Sequence, residues 1–491
     1  MATAPDKIRS GGTAETARPL IQAETDYFGS RPVLWDRRTS RLGSDFEDVG
    51  SQGLDLDETA FWEALIWDMP LGKRTLDRNV EFVPPESRCT VDGNRLLVEE
   101  HATRRTESES GRPGSVAIVE QIDRRLQQVC NELVASLGPN ERILLPLSGG
   151  LDGRLLATYL PRTGIDPKRI DVVTFAFDRS SLEFRLASTV SKRLGFGEHH
   201  FHEIGRESYL SHVDDLWRTW RGVLSVIHGH LYGFLKQVKG QYSVVVSGLI
   251  GDAVAGYMSR PPGSTGSVWS TTVFAQLERF DLSMSLSAGL RSEIFDDLQA
   301  IYDDWRQSDH AVEFDEFMYF RQRQPKTFGP LLATYRRLMP VCTPYLDPEI
   351  VNLFLSCPFE LRHEKRVSRA LLQRRDSVLA DLPDVSTAFS TVNASTRVRR
   401  VLTTWLARAA TTMAIASGDH LRWFNPYATE DIFTAMRCEC RKSVLHVLAG
   451  LKKVGILSSR QELLMRHKPL RSTEAGRHAR LLTYLPWVDN L

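Results

Sequence analysis

The chain has 491 residues, so length alone predicts two or three domains. Hydrophobic residues make up 42% of it and charged residues 25%, which is typical of a globular protein. The formal net charge of +1 indicates no nucleic-acid partner, and no apolar run approaches the roughly 18 residues of a membrane span. We therefore expect a cytoplasmic protein with neither a nucleic-acid nor a membrane partner, because the N-terminal residues also lack the pattern of a signal peptide.

In the N-terminal part, up to about residue 110, the sequence predicts a polar tail and then a small α+β domain. Residues 1–25 are polar and are predicted to be a disordered tail. Within residues 26–110, a helix is expected to begin after Asp57 or Thr59, and a hairpin is expected to turn at Asp92 and Gly93. The charged stretch "HATRRTESESGRPGS" lacks apolar periodicity and is the best candidate for a linker.

Residues 118–400 alternate between helical and strand patterns. An amphipathic helix in "SVAIVEQIDRRLQQVCNELVASLG" precedes a strand, loop and helix at 142–160, and further strands are predicted at 171–177 and 242–248. This alternation predicts an α/β fold with a doubly wound, mostly parallel sheet. Helical patterns dominate from about residue 270, and residues 401–491 are predicted to form a helical C-terminal extension, with "TWLARAATTMAIA" and "KSVLHVLAGLKKVGIL" as helices.

Two strand ends carry residues suited to a phosphate ligand. In "ILLPLSGGLDGR", Gly149 and Gly150 allow the main chain to approach an anion, and the N-terminus of the next helix offers unpaired N–H groups. The segment is not a Walker loop, because its lysine is absent. Since Mg²⁺ is usually held by one or two carboxylates together with phosphate oxygens, Asp152 and Asp252 are predicted to bind a metal ion that bridges the phosphates. For Asp252 a plain helix-capping role is the alternative.

Four segments in order resemble the asparagine synthetase family. "LSGGLDGR" is similar to the pyrophosphate loop S-G-G-x-D-S of that family, which includes the β-lactam synthetases and the lasso peptide cyclases. "SGLIGDAVAGY" resembles its second motif, and "TFAFDRSSLEFRLASTVSKRLGFGEHHFHEI" resembles the strand, helix and His-His segment between them. "PYLDPEI", followed by "RVSRALLQR", is similar to a later P-F-L-D segment. Joint occurrence is far more specific than one motif, and it implies an adenine nucleotide α-hydrolase-like fold of the PP-loop ATP pyrophosphatases.

The resemblance implies an ATP- and Mg²⁺-dependent carbon–nitrogen ligase. A carboxylate would be activated as an acyl-adenylate with release of pyrophosphate, and an amine or ammonia would then attack it. The same resemblance implies that Asp152 and Asp252 are catalytic and bind Mg²⁺. It also implies an ATP site formed by Pro146, Ser148, Gly149, Gly150, Asp152, Phe177, Ser247 and Gly248.

The N-terminal region resembles the closing section of the family's glutaminase domain. "LGKRTLDRNVEFVPPESRCTVDGNRLL" follows that pattern, but the nucleophilic cysteine expected after the initiator methionine is replaced by Ala2, and the first cysteine is Cys89. The expected domain is therefore truncated and degenerate, without glutamine hydrolysis. The nitrogen would come from a small-molecule or peptide substrate or from free ammonia. Truncated family members of this kind are typical of specialised-metabolite pathways, and a lasso-type macrolactam cyclase is one version. A partner protein of the same pathway is a further expected associate.

Three departures favour a second hypothesis, a catalytically degenerate protein that acts as a binding or scaffold partner. Gly153 replaces the serine that closes the phosphate loop, and Leu249 replaces a family glutamate. The family's late lysine, expected after the "PYLD" helix, is missing; Arg397, Arg399 or Arg400 could substitute for it. A tRNA-modifying enzyme of the PP-loop class is the last alternative, because it needs reactive cysteines or a basic RNA-binding face and the sequence shows neither.

The histidines and cysteines favour structural roles. His199 and His200 could suggest a metal ion, but they stand at the start of a strand after a helix, where histidine is more often structural. His228 and His230 could also suggest one, but no third ligand is in sight. The six cysteines are scattered, Cys438 and Cys440 have no second pair, and free, mostly buried thiols are expected.

Overall fold

The computed structural model describes most of the chain. The described residues are 21–51, 53–100, 115–176, 179, 181–204, 206–307, 312–384, 389–390, 440–467 and 480–491. Several predictions fall outside them: the tail up to residue 20, the linker up to residue 114, the helix at 404–416, Phe177, Cys438, Arg397, Arg399 and Arg400. The predicted disordered tail of residues 1–25 is wrong at its end, because residues 21–24 form a strand that pairs with residues 88–91.

Two small antiparallel sheets and one helix form the N-terminal part. The strands are β1 Ile21–Glu24, β2 Leu34–Asp36, β3 Arg41–Gly43, β4 Val80–Phe82, β5 Ser87–Asp92 and β6 Arg95–Glu100. They pair in the orders β1-β5-β6 and β3-β2-β4. The predicted hairpin is confirmed, because β5 and β6 are joined by a turn in which Gly93 has a φ of 60°. Helix α1, Glu58–Trp67, is capped by Asp57, whose carboxylate accepts the N–H of Ala60.

A five-stranded parallel sheet forms the centre of the protein. Its strands are β7 Ile143–Pro146, β8 Ile170–Ala176, β9 His199–Glu203, β10 Val244–Val246 and β11 Val341–Cys342. All four strand pairs are parallel, in the order β11-β10-β7-β8-β9. The near-continuous apolar runs of β7, β8 and β10 explain this layout, since strands covered on both faces read as unbroken apolar stretches. The predicted α/β class with a parallel sheet is confirmed.

Helices connect and cover the strands. Before the last strand lie α2 Ser115–Ala135, α3 Leu151–Tyr159, α4 Leu182–Leu194, α5 Arg206–Leu210, α6 Val213–Trp220, α7 His230–Gln237, α8 Gly251–Val254, α9 Thr272–Met284, α10 Ala288–Gln307, α11 Phe314–Met318, the π-helix Tyr319–Phe328 and α12 Gly329–Arg336. After β11, the last strand of the central sheet, come the helices α13 Pro348–Ser356, α14 Phe359–Arg362, α15 Arg366–Arg375 and α16 Ser377–Ala380. A short strand pair, β12 Pro383–Asp384 and β13 Phe389–Ser390, follows, and then α17 Arg441–Lys453, α18 Ser459–His467 and α19 Leu485–Val488. Short 3₁₀ turns lie at Leu160–Thr163, Pro167–Arg169, Val226–His228, Val268–Ser270, Pro344–Leu346 and His363–Lys365.

The strand order creates a switch point between β7 and β10. From β7 the chain builds outward through β8 to β9, and it then returns to the other side of β7 to add β10 and β11. In open parallel sheets, ligands bind beyond the carboxyl ends of the strands at such a reversal. The loops that follow β7 and β10 therefore meet where a ligand is expected.

One cluster of buried apolar side chains extends from Phe28 and α1 through the sheet to α17. Strands β2 and β4 share this core with the parallel sheet, whereas Cys89 of β5 belongs to a separate small cluster. The domain limits at 26–110 and 118–400 and the glutaminase-like origin of the first part stay predictions. The five cysteines in the described part are free thiols, as expected. Within the described ranges, no helix is both long enough and apolar enough to cross a bilayer.

Candidate active site

The loop after β7 presents main-chain N–H groups at the carboxyl edge of the sheet. The strand ends at Pro146, and α3 begins four residues after Leu147, with Gly150 in extended conformation as its N-cap. No side chain caps this helix end. The hydroxyl oxygen of Ser148 accepts the N–H of Gly150 at 3.1 Å, which fixes the turn. The first N–H groups of a helix lack partners within the helix and carry partial positive charge, so this end suits an anion.

The loop after β10 has the same design and an added strain. The hydroxyl oxygen of Ser247 accepts the N–H of Leu249 at 3.2 Å. The main-chain N–H of Ser247 donates to the carbonyl of Cys342 at 2.8 Å. Ile250 has a φ of 69° although it is β-branched and buried. Such a conformation costs on the order of 1–3 kcal/mol and is held only where the surroundings impose it. It turns the chain so that Asp252 enters the first turn of α8.

Two glycines of the second loop lie directly against the first. An ideal Cβ on Gly248 would lie 3.0 Å from the Gly153 nitrogen, and one on Gly251 would lie 2.8 Å from the Cβ of Asp152. Only residues without a Cβ allow this approach. Asp152 and the neighbour of Gly251, Asp252, are therefore brought to the same edge of the sheet, as the sequence predicted.

Asp252 is held by a buried tyrosine. The hydroxyl of Tyr319 donates to Oδ2 of Asp252 at 2.8 Å. Burial, and next the nearby Asp252 carboxylate, raise the pKa of Tyr319 well above its usual value, so the hydroxyl keeps its proton and donates. Oδ1 of Asp252 accepts the N–H of Ala253 at 2.9 Å, so this carboxylate also caps α8 in part. Tyr319 is the first residue of the π-helix, a geometry that occurs frequently at functional sites.

Asp152 forms an ion pair with Lys365. The ammonium nitrogen of Lys365 lies 2.6 Å from Oδ2 of Asp152 and 5.8 Å from the ring centroid of Tyr257, and its side chain is 16% exposed. Lys365 has a φ of 58°, and it directly precedes α15. The sequence prediction places the cation after the helix of the "PYLD" segment and therefore does not include Lys365. The break "HEK" between two helical patterns is the signal that could have indicated it.

The "PYLD" segment supports the site without offering it a carboxylate. The hydroxyl of Tyr345 donates to the carbonyl of Asp152 at 3.2 Å, and a Cβ on Gly251 would lie 2.8 Å from the tyrosine ring. Asp347 caps α13 by accepting two N–H groups, and it pairs with the guanidinium of Arg125 at 2.6 Å. The aspartate of this motif is thus committed to the fold.

The donor set fits a magnesium ion shared with a nucleotide. Within the described part of the chain, no group of three or more His, Cys, Asp or Glu residues could enclose a metal ion. Mg²⁺, however, is usually held by one or two carboxylates with substrate phosphates completing its shell. Asp152 and Asp252, at the two facing loops, match that requirement.

The remaining predicted residues lie at the same edge or outside the description. Pro146 is the last residue of β7, and the carbonyl of the next residue, Leu147, accepts the hydroxyl of Thr174 at 2.6 Å. Phe177, one residue beyond β8, lies outside the described residues. Leu249, at the position of the family glutamate, packs against the apolar core.

The four histidines have neighbours within the fold. His199 contacts the hydroxyls of Thr174 at 2.9 Å and Ser188 at 3.1 Å, and burial lowers its pKa to about 4. The ring of His200 lies 2.8 Å from the Tyr242 hydroxyl.

His228 pairs with the carboxylate of Asp68 at 2.8 Å. His230 packs against the aromatic rings of Phe175 and Tyr209, and burial lowers its pKa to about 3.

One comparison with known proteins, the match to a family model, agrees with this arrangement. Among solved structures, an NH3-dependent NAD synthetase from Campylobacter jejuni in complex with the nitrate ion is 16% identical over 46% of this chain and 94% of its own; its TM-score of 0.21 is too low to support an argument. No curated protein matches the chain. The model of the family described as asparagine synthase matches residues 140–387, half of the chain. This match spans both loops and Lys365, and the chain therefore belongs to the asparagine synthase family of ATP-using, amide-forming ligases.

Proposed function

We propose that the protein activates a carboxylate with ATP and Mg²⁺ and then forms an amide. In the first step a carboxylate oxygen bonds to the α-phosphorus of ATP, and the bond from that phosphorus to the bridging oxygen breaks to release pyrophosphate. In the second step an amine nitrogen bonds to the acyl carbon, AMP leaves, and the nitrogen loses a proton. The amine is a group of the substrate itself or ammonia, and a specialised-metabolite reaction such as macrolactam closure fits this chemistry.

The contact between the two loops carries this proposal. Gly251 lies against the Cβ of Asp152, which brings Asp252 and Asp152 beside the uncapped N-terminus of α3. A triphosphate needs several positive or N–H-donating groups close together, because each reduces the repulsion among its oxygens. The switch point of the sheet is the place where this fold can supply them.

Each group then has a distinct part. The N–H groups at the start of α3 would hold the pyrophosphate end of ATP. The Ser148 and Ser247 oxygens already accept N–H groups of their own loops, so their O–H groups can turn toward phosphate oxygens. When bound by Asp152 and Asp252, Mg²⁺ would supply charge neutralisation at the phosphates.

Lys365 is proposed to supply the cation that the sequence lacks at the usual position. Its ammonium group already lies at Asp152, so it is at the same edge as the proposed pyrophosphate site. A preorganised donor of this kind contributes about 3–4 kcal/mol when charge develops in the transition state. In this role Lys365 stabilises the pyrophosphate as the leaving group.

The test is exchange of labelled pyrophosphate into ATP, with a panel of carboxylates and peptides as possible acids. One member should stimulate exchange, and Asp152→Asn and Asp252→Asn should each lower it by at least about 100-fold. Asp166→Asn is the matched control, because Asp166 caps a 3₁₀ turn before β8, at the opposite edge of the sheet. This control should keep full exchange.

Two results would contradict the proposal. Exchange that survives in both aspartate variants would remove the metal site from the chemistry. Binding of ATP by titration without exchange for any carboxylate would favour the degenerate scaffold instead, which the apolar Leu249 already makes the second candidate. For the nitrogen source, amide formation with a substrate amine or with ammonium, but not with glutamine, is expected. Release of ammonia from glutamine would refute this expectation.

A further inference from the structure

Arg154 lies beneath the phosphate loop and is fully buried, with an exposed fraction of 0%. It is in the first turns of α3, two residues after Asp152. Its guanidinium donates hydrogen bonds to four main-chain carbonyl oxygens. They belong to Gly149 at 2.6 Å, Pro383 at 2.7 Å, Leu382 at 3.1 Å and Leu379 at 3.2 Å. One side chain therefore joins the loop to a segment more than 220 residues later.

The first contact fixes the orientation of a loop peptide. The peptide between Gly149 and Gly150 is held at both ends, because its carbonyl accepts from Arg154 and its N–H donates to Ser148. A carbonyl oxygen turned toward a phosphate would repel it. By binding the Gly149 oxygen, Arg154 keeps it away from the anion that the start of α3 attracts.

The other contacts hold the chain that follows α16. Arg154 donates to the carbonyl of Leu379 in α16 and to those of Leu382 and Pro383 just beyond the helix. The start of α16 is fixed separately, because Asp376 accepts the N–H of Leu379 and pairs with Arg193 at 2.7 Å. The segment 379–383 is thus anchored at its start by Asp376 and at its end by Arg154.

We propose that Arg154 is a positioning residue that sets the phosphate loop and couples it to residues 379–383. The proposal rests on the function given above for that loop, but the coupling itself exists in the protein without nucleotide. An anion that tightens the loop should tighten residues 379–383 through the shared guanidinium. Loss of the guanidinium should loosen both together, although they are far apart in sequence.

Hydrogen exchange measured by mass spectrometry on the full chain tests the coupling. In Arg154→Met, amides of 149–153 and 379–382 should both exchange at least about 10-fold faster, which corresponds to about 1.4 kcal/mol. The strand amides of β7 should change less. Arg154→Lys keeps the charge but cannot reach four carbonyls, so it should give an intermediate effect and serves if the methionine variant is unstable.

Arg169→Met is the matched control. Arg169 also donates to main-chain carbonyls, those of Gly138 and Glu141, but at the opposite edge of the sheet. Its loss should leave exchange at the loop and at 379–382 unchanged. In the wild-type protein, inorganic pyrophosphate or MgATP should slow exchange in both segments.

The outcomes separate the possibilities. Protection by MgATP confined to the loop, or loosening of only one segment in the Arg154 variants, overturns the coupling. A uniform loss of protection, with unchanged kcat and KM for exchange, makes Arg154 merely structural and also overturns it. If nucleotide protects neither segment from exchange, the proposed function fails, while loosening of both segments in Arg154→Met would still support the coupling. A loss of kcat that is larger than the change in KM for ATP supports both the proposed function and the coupling.

Discussion

Gly251→Ala should disable the site while leaving the fold intact. A Cβ at this position would lie 2.8 Å from the Cβ of Asp152 and 2.8 Å from a ring carbon of Tyr345. Ordinary carbon contacts are about 3.5–4.0 Å, so one or more of these groups must move by roughly 0.7–1.2 Å. Both neighbours are held by other contacts, and Asp152 pairs with Lys365. The displacement therefore falls on the proposed metal ligand.

The expected magnitudes differ for stability and for activity. Overpacking of this kind costs about 1–3 kcal/mol of unfolding free energy, partly offset by up to about 1 kcal/mol from the better helix propensity of alanine. A misplacement of about 1 Å in a catalytic group can lower the rate on the order of 100-fold. Activity should thus fall much further than stability.

The assay pairs pyrophosphate exchange with urea unfolding, and Gly289→Ala is the matched control. Gly289 lies in α10, and a Cβ there would meet nothing within 4 Å. The control should be as stable as the wild type, or up to about 1 kcal/mol more stable, with full exchange activity.

Wild-type exchange in Gly251→Ala would refute the reasoning, as would an equal loss in Gly289→Ala. A crystal structure of Gly251→Ala with Asp152 in its original place would show that the close contact is absorbed elsewhere. In that case the two loops would not depend on each other as the geometry requires.

Three further predictions concern the same region. Gly153→Ser restores the family residue, and its Cβ would meet only ordinary contacts at 3.5 and 3.7 Å. Urea unfolding should therefore show a gain of about 0.5 kcal/mol in the free energy of unfolding. Titration should show an ATP affinity at least equal to that of the wild type. Lys365→Met removes the cation beside Asp152 and should lower kcat for exchange by at least about 100-fold; an unchanged kcat would exclude Lys365 from the chemistry. Burial lowers the pKa of His230 from 6.5 to about 3, so the folded state binds fewer protons than the unfolded state, and stability is lost as the pH falls below 6.5. Between pH 7 and pH 5, the contribution of His230 to the free energy of unfolding falls by about 2 kcal/mol. Urea titrations at both pH values should show that His230→Gln abolishes this fall. The control His446→Gln, at an exposed histidine, should retain it.

The sheet and its two loops could be predicted because their signals are local. Apolar runs end in Ser-Gly pairs, and a parallel sheet brings strand ends to one edge whatever the rest of the chain does. Asp152 and Asp252 follow those ends directly, so their placement needed no long-range information. The carboxylates were therefore found from the sequence, whereas their partners were not.

The partners depend on contacts between distant segments. Tyr319 reaches Asp252 only because a π-helix, which no apolar period indicates, begins at that residue. Lys365 reaches Asp152 across 213 positions from a residue with positive φ. Arg154 has the sequence pattern of an ordinary polar residue of an amphipathic helix, and three of its four acceptors come from residues 379–383.

A triphosphate site without a Walker lysine must obtain its positive charge from several elements. The start of α3 contributes the equivalent of about half a charge, and it loses effect within one turn. Lys365 adds a full charge, but from a loop that follows the last strand of the sheet, and its carboxylate partner is the proposed metal ligand itself. Binding of Mg²⁺ at Asp152 would therefore compete with this ion pair and free the ammonium group for phosphate oxygens. On this reasoning the apparent affinity for MgATP contains the cost of breaking the pair, and Lys365→Met should bind Mg²⁺ alone more tightly while it exchanges pyrophosphate more slowly.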